Sequence, residues 1–590
     1  MKRTHTCGEL TAKDIDKEVT LAGWADTRRD HGGLIFIDLR DRYGITQIVF
    51  DPEHNKETHS KAEKIGREYV VQVVGKVRRR PANMENKKIV TGEVEVICSH
   101  LDVLNPSEIP PFEIDDRSEI SEELRLKYRY LDLRRNSMQA NLQVRHTAAM
   151  AAREYLSSQK FLEIETPMLG KTTPGGARVF KVPSRVHPGK FYALPESPQL
   201  YKQLLMVSGC DRYFQLAKCM RDEDQRADRQ LEFTQIDMEM SFVDQEDVWA
   251  AVEGTMKHIF KKTLNIDIET PFRRMPFQIA MEKYGSDKPD LRFGLEFTDV
   301  SEIARKTDFS VFKSVLDKKG KVICLPVPKG ASFTRKDIDE LTETAKIHKL
   351  AGLAWAKISV NKEFESSIAK YIPALAQAEI IAKTMSQPGD LLLFAASNFE
   401  TAATALGQVR LQVAQKQNLI PKDKWVFSWI VDFPLFEWSE EEEKWNARHH
   451  IFTMPRDEDM DLLEKSPDKV RGKLYDLVLN GTELVSGSIR IHNKDIQTRV
   501  LNVIGMTYEE AEKTFDFLLT AFKYGAPPHG GAAIGFDRLV ALMCGTNDIR
   551  EVIAFPKTKA AESLMDGAPQ EWTNDRWLKE LHLKLDLIKK

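Results

Sequence analysis

Arg221, Glu223, Arg226 and Arg229 crowd the start of the stretch RDEDQRADRQLEFTQIDMEMSF, residues 221–242. Arginine offers a planar donor fork that matches phosphate or carboxylate, so the group suits a polyanion with a base attached. A salt-bridged surface hairpin has the same composition, and surface ion pairs contribute little. Other residues with chemistry lie far away in the chain. Gln199 and Lys202 are three apart at a helix start and share a face. Asp476 and Glu483 bracket Asn480-Gly481, a hairpin signal that brings two carboxylates close enough to share a divalent cation. Arg538 follows the small-residue run 529–535 at a helix start, where a phosphate gains from the helix dipole, and Gly535 lets a ligand approach the backbone. His449 and His450 lack metal spacing, and a pair of this kind is more often structural than catalytic. The chain has neither G-x-G-x-x-G nor G-x-x-x-x-G-K-[ST], so a nucleotide site must be built from a sheet and arginines.

The elements that must hold these groups read as follows. Residues 213–221 and 233–242 are strands. In the second, Thr234, Ile236, Met238, Met240 and Phe242 are expected on a packed face, with Phe233, Gln235, Asp237, Glu239 and Ser241 on a polar one. Glu483 and Arg490 are seven apart, which strict alternation puts on opposite faces. Both reach one site only through a bulge, expected at Gly487. Met138, Leu142, Ala149, Ala152 and Leu156 predict one apolar helix stripe, leading to a strand over 161–166 stopped by Pro167. Thr173-Pro174-Gly175-Gly176 has the freedom of a lid.

A chain of 590 residues implies several domains. Residues 1–105 carry five short strands with a helix-like piece after the third, the layout of an OB-fold barrel that binds oligonucleotides. Arg28, Phe36, Gln47 and Arg78 fall on or near these strands and fit single-stranded RNA; Phe36 as core and Arg78 as a solvated edge fit equally. Residues 106–137 read as a linker that ends in a helical start. Residues 138–288 and 423–590 hold the site chemistry, and 289–422 read as an inserted α+β domain, giving an α+β multidomain chain. With 86 basic and 89 acidic residues the chain has no global basic field, so nucleic-acid binding must use local patches. The six cysteines form no C-x-x-C pair, and no apolar run is long enough to span a membrane; a cytoplasmic protein is expected.

The chain resembles the class II aminoacyl-tRNA synthetases, in their bacterial aspartate-specific branch. The resemblance covers nearly the whole chain and rests on RRD-H-GGLIFIDLRDR, KYRYLDLRR, SPQLYKQLLM, RDEDQRADRQ-x-EFTQID, GSDKPDLRFG, HNKD and GFDR. It implies an antiparallel-sheet catalytic domain that activates aspartate with ATP and then charges tRNA(Asp). By position, Arg221 and Arg538 become the catalytic arginines, with ATP contacts also at Asp222, Glu223, Gln230, Glu483, Gly535, Phe536 and Asp537. Asp476 and Glu483 match Mg2+ ligands. Ser197, Gln199, Lys202, Arg221, Gln235, Asp237, His449 and Arg490 match the aspartate site, and Arg28, Phe36, Gln47, Arg78 and Glu93 the anticodon-binding face. Pro167 marks the segment that implies a homodimer. Lys202 and Arg490 also make chemical sense together. A carboxylate needs cations, whereas an amide would turn its NH2 toward Arg490. Losing one or two charge-assisted bonds at about 1.5–3 kcal/mol each costs roughly tenfold to several hundredfold.

Some positions depart from the pattern. The lid usually reads T-P-E-G-A-R-D-Y, and here Gly175, Val179 and Phe180 replace the Glu, Asp and Tyr. Leu231 and Ile451 stand where proline is usual, and Val485-Ser486-Gly487 replaces a glycine triplet. The missing lid acid implies a weaker hold on the aspartate ammonium. A form that charges both tRNA(Asp) and tRNA(Asn), and a catalytically weak RNA-binding paralogue, are the competing readings.

Overall fold

The computed structural model describes residues 3–172, 177–571 and 574–586. The chain forms two compact units, Met1–Gln143 with Arg550–Gln570, and Val144–Ile549 with Glu571–Lys590.

The first unit contains a closed five-stranded barrel: β1 (Glu18–His31), β2 (Leu34–Asp41), β3 (Gly44–Phe50), β4 (Val70–Arg79) and β5 (Val94–Asn105), in spatial order β1-β2-β3-β5-β4. Helix α1 (Lys56–Ala62) follows β3, as the sequence predicts. Alternation fills the barrel with Val19, Leu21, Ile35, Ile37, Leu39, Ile48, Val71, Val73, Val94 and Val96. Residues 106–137 are not a free linker. Arg125 pairs with Asp132 and Glu551, and Arg129 donates to the carbonyls of Arg550, Ile553 and Ala554, so the KYRYLDLRR segment is tied to a distant part of the same unit. Arg125 and Arg129 are what order it.

The second unit is built on an eight-stranded sheet. Its strands are β6 (Leu162–Glu163), β7 (Arg212–Met220), β8 (Glu232–Ser241), β9 (Arg273–Pro276), β10 (Phe427–Val431), β11 (Leu474–Leu479), β12 (Thr482–Ile489) and β13 (His529–Gly535). They lie in the order β9-β10-β11-β12-β13-β8-β7-β6, antiparallel except for the two edge pairs. Helix α2 (Asn136–Ser158) buries Met138, Ala148, Ala151, Ala152 and Leu156, so Ala148 rather than Ala149 sits fully in the stripe. The strand expected over 161–166 is paired only at Leu162–Glu163. The expected insertion has its own five-stranded sheet, with strands between Thr298 and Ser397, and two hydrophobic cores. Arg410 anchors it, donating to the carbonyls of Asp290, Phe293, Gly294 and Leu295.

Candidate active site

The polar face of the sheet is assembled by register. Across β11, β12, β13, β8 and β7, Asp476 faces Ser486, Ser486 faces Ala533, Ala533 faces Asp237, and Asp237 faces Gln215. One row on, Ser488, Gly531, Glu239 and Tyr213 align. Residues opposite one another in antiparallel strands share a face, so these two rows form one floor. The Cβ of any residue replacing Gly531 would lie 2.1 Å from a Glu239 carboxylate oxygen, which is why a small residue stands there.

The bulge required by Glu483 and Arg490 exists, but not at Gly487. Leu477 pairs with Val485 and Val478 with Glu483, so Leu484 is the extra residue. This puts Glu483 on the face of Asp476 and Ser486. Gly487 is held for a different reason: a Cβ there would sit 2.3 Å from the Gly531 carbonyl and 2.6 Å from the Tyr475 ring. The expected packed face of β8 also ends early. Phe242 lies beyond the strand at a positive φ of 58° and is exposed, while Asp237 and Glu239 on the polar face are buried.

Those two acids organise the cations. Lys202, on helix α3 (Gln199–Val207), lies 2.7 Å from Asp237 and 3.1 Å from Glu239. Arg490 grips Glu239 through Nε and Nη2 at 2.9 and 3.1 Å. All four side chains are at most 3% exposed. Burial alone would raise Glu239, yet Arg490 and Lys202 outweigh it and hold its pKa at about 2. Burial raises Asp237 despite Lys202, and its second oxygen has no hydrogen-bond partner. An unsatisfied buried carboxylate oxygen invites a cationic ligand group. Lys202 and Arg490 are thus brought together through Glu239, which strand alternation puts on the polar face.

His450, rather than His449, contacts this cluster. Its Nε2 accepts from Arg490 Nη1 at 2.8 Å, and burial followed by Arg490 lowers its pKa well below the usual histidine value. His449 is exposed and rests against the Phe433 ring at 5.7 Å. Gln199 donates to Gln203 at 3.1 Å, Gln235 accepts from Cys219 at 3.3 Å, and Ser197 is half-buried just ahead of α3.

The nucleotide-type residues gather at one end of the same face. Arg221 follows β7 with its guanidinium 5.0 Å from the Phe233 ring, and its buried Nε lacks a partner. The 222–230 loop folds on itself through mutual backbone bonds between Arg226 and Arg229, with Glu223 3.5 Å from Arg229, Asp222 exposed and Gln230 buried. Arg538, on helix α4 (Phe536–Met543), donates to the Glu483 carbonyl at 3.2 Å and pairs with Asp228 of that loop at 3.1 Å. Phe536 and Asp537 are buried braces: Asp537 accepts from the Thr234 N–H at 2.7 Å and from Arg145 at 2.5 Å, and the Arg145 guanidinium stacks 4.8 Å from Phe536. Unlike Gly487 and Gly531 on the same sheet, Gly535 is not required by close packing: an added Cβ would make only ordinary contacts, 3.5 Å from the Leu484 carbonyl and 3.8 Å from Arg538.

Asp476 is buried, with an unpartnered Oδ1, and burial followed by the Glu483 charge raises its pKa well above the usual carboxylate value. That pair fits a divalent cation, whose charge would relieve both. No group of three His, Cys, Asp or Glu side chains that could hold a metal occurs among the described residues. Mg2+ commonly uses one or two carboxylates plus phosphate oxygens, so two are sufficient. The lid residues Thr173–Gly176 lie outside the described residues.

In the barrel unit, a hydrogen-bonded chain crosses the outer face. Arg29 binds Asp38 at 2.7 and 2.9 Å and Gln47 at 3.2 Å; Gln47 donates to Glu95 at 2.8 Å, and Arg78 donates to Glu95 at 2.8 Å. Phe36 is half-buried on this face beside the His31 ring, and Arg28 donates to the Glu63 carbonyl. Glu93 is exposed and precedes β5; the acid that joins Gln47 and Arg78 is Glu95, inside the strand, with Val94 and Val96 turned into the core.

Comparison with known proteins gives the family. A family model described as tRNA synthetases class II (D, K and N) matches residues 121–559, and one described as OB-fold nucleic acid binding domain matches residues 19–104. The chain is 54% identical over 587 residues to an Aspartate--tRNA(Asp/Asn) ligase of Caldanaerobacter subterraneus, covering 100% of this chain and 99% of the relative. It is 50% identical over 585 residues to an Aspartate--tRNA ligase of Ruminiclostridium cellulolyticum, covering 99% and 98%. An asparaginyl-tRNA synthetase structure from Pyrococcus horikoshii shares the fold at a TM-score of 0.59 and 21% identity, covering 95% and 99%. The chain therefore belongs to the class II tRNA synthetases of the D, K and N group and, within it, to the aspartyl-tRNA synthetases. It is an aminoacyl-tRNA ligase, an enzyme with an OB-fold domain.

Proposed function

We propose that the enzyme activates L-aspartate with ATP to aspartyl-adenylate and transfers the aspartyl group to the 3′ end of tRNA(Asp). The observation that carries this is the buried Lys202–Glu239–Arg490 cluster with Asp237 beside it, next to Arg221 and Arg538 on one sheet face. The cations receive the substrate side-chain carboxylate. The open oxygen of Asp237 and the amides of Gln199 and Gln235 serve the ammonium, with Ser197 and His449 at the margin. Arg221 holds the α-phosphate against the attacking carboxylate, and Arg538 takes the outer phosphates once its half-exposed pair with Asp228 opens. The missing side chain at Gly535, with Glu223 and Gln230 on the 222–230 loop, supports the nucleotide; Phe536 and Asp537 support it from behind. Asp476 and Glu483 would hold Mg2+, which supplies charge neutralisation for the phosphates. No protein nucleophile is required, because positioning and charge stabilisation carry the reaction.

The barrel face with Phe36, Gln47 and Arg78 reads the anticodon, a homodimer forms through the segment around Pro167, and the enzyme works in the cytoplasm. All six cysteines are unpaired, which supports a reducing compartment, and among the described residues no helix is long and apolar enough to cross a membrane. The Asp/Asn naming of several relatives at 50–54% identity supports a second reading beside the first, in which tRNA(Asn) is charged as well. Aspartate-dependent pyrophosphate exchange, with asparagine and lysine as controls, tests the first step; exchange with lysine or asparagine in place of aspartate overturns it. Charging each purified tRNA separates the two readings. Gly175→Glu is expected to lower KM for aspartate in the same exchange assay, and an unchanged KM removes the idea that this lid holds aspartate more weakly.

A further inference from the structure

Behind the candidate aspartate site, three side chains form a wire whose polarity is fixed at its far end. His529 is fully buried, and its Nδ1 lies 2.8 Å from the carbonyl oxygen of Pro527. A carbonyl only accepts, so Nδ1 carries the proton. Burial lowers the His529 pKa, outweighing the pull of Glu239. A neutral imidazole protonated on Nδ1 has its lone pair on Nε2. Nε2 lies 3.1 Å from Gln203, also fully buried, which must therefore turn its NH2 toward the ring. The Gln203 oxygen then faces outward, and Gln199 donates its own NH2 to it at 3.1 Å. Each amide has one acceptor end and one donor end, so fixing the first fixes the last. Gln199 is left presenting its Oε1, which has no hydrogen bond among the described residues.

We propose that His529 and Gln203 are positioning residues that set the amide orientation of Gln199, so that it offers an acceptor to the substrate ammonium. Neither touches substrate. With the opposite orientation, Gln199 would present NH2 to a cation and repel it. This inference rests on the proposed function, because it takes Gln199 as a contact of bound aspartate.

The test uses the full-length enzyme in aspartate-dependent pyrophosphate exchange, with succinate, which lacks the amino group, as competitor. Gln203→Met keeps the length and removes the wire; His529→Phe removes its anchor. Each is expected to raise KM for aspartate about tenfold, the scale of one charge-assisted hydrogen bond, while the Ki of succinate and KM for ATP stay within about twofold. Gln203→Glu, protonated in this buried site, donates its O–H to His529 Nε2 and keeps an acceptor facing Gln199, so it is expected to lose far less than Gln203→Met. If succinate weakens by the same factor as aspartate, or if KM for aspartate does not move in either variant, the wire does not act on the ammonium and the proposal falls. A wild-type enzyme with no aspartate-dependent exchange would instead remove the proposed function itself.

Discussion

Two polar networks, each on the face of a sheet and each made from arginine, carboxylate and amide, stand in different solvents. On the barrel, Arg29 and Arg78 are 39% and 41% exposed, and only Glu95, the acceptor for Arg78 and Gln47, is sealed. On the large sheet, Lys202, Arg490, Asp237 and Glu239 are all excluded from water. A half-wet network can exchange partners at small cost when a long flexible ligand arrives. A dry one cannot rearrange, because each unpaired charge meets the full desolvation penalty. The barrel therefore suits reading by adjustment, and the sheet suits selection by a preset pattern of charge.

The contrast is broken most severely at Arg490. Arg490→Met leaves Glu239 buried without its main partner, and is expected to cost about 3–5 kcal/mol of stability in chemical unfolding, with loss of aspartate-dependent exchange. Arg78→Met is its counterpart: stability within about 1 kcal/mol of the parent, exchange unchanged, and a several-fold fall in tRNA charging. Equal destabilisation by the two would erase the distinction.

A smaller effect is expected at Asp476. Its raised pKa means that the folded protein favours the protonated carboxyl, so this contribution to stability is present at low pH and lost as pH rises through the folded value. Asp476→Asn should therefore melt at a higher temperature than the parent, by a margin that widens with rising pH and closes near the ordinary carboxylate pKa. Added Mg2+ should raise the melting temperature of the parent only. The smallest effect belongs to the exposed pair at Arg538. Asp228→Asn frees the guanidinium and is expected to lower KM for ATP by up to about fivefold, the ceiling for an exposed ion pair.

Much of this was legible in the sequence because it follows from period and punctuation. The barrel strands, the Asn480-Gly481 hairpin and the insertion all appear where alternation and turn residues put them. The need for a bulge between Glu483 and Arg490 followed from counting by twos, but its place did not, since Gly487 is held by the neighbouring Gly531 carbonyl and Tyr475 ring, which only the folded sheet brings near. Glu95 and His450 stand one or two positions from Glu93 and His449, and packing from remote strands decides which of each pair joins the network. Glu239 and Asp237 are enclosed together, and alternation alone assigns Glu239 no partner. Gln203 and His529 are 326 positions apart, and no local pattern joins them.

The insertion sits at a revealing place. Strands β9 and β10 are adjacent and parallel, with Arg273 beside Ser428. Parallel neighbours can never be joined by a tight turn; the chain must travel back along the sheet before it starts the second strand. A detour was obligatory at this seam, and an extra domain grown there lengthens a path that already had to exist. Large additions can come and go at such a seam while the catalytic floor keeps its register.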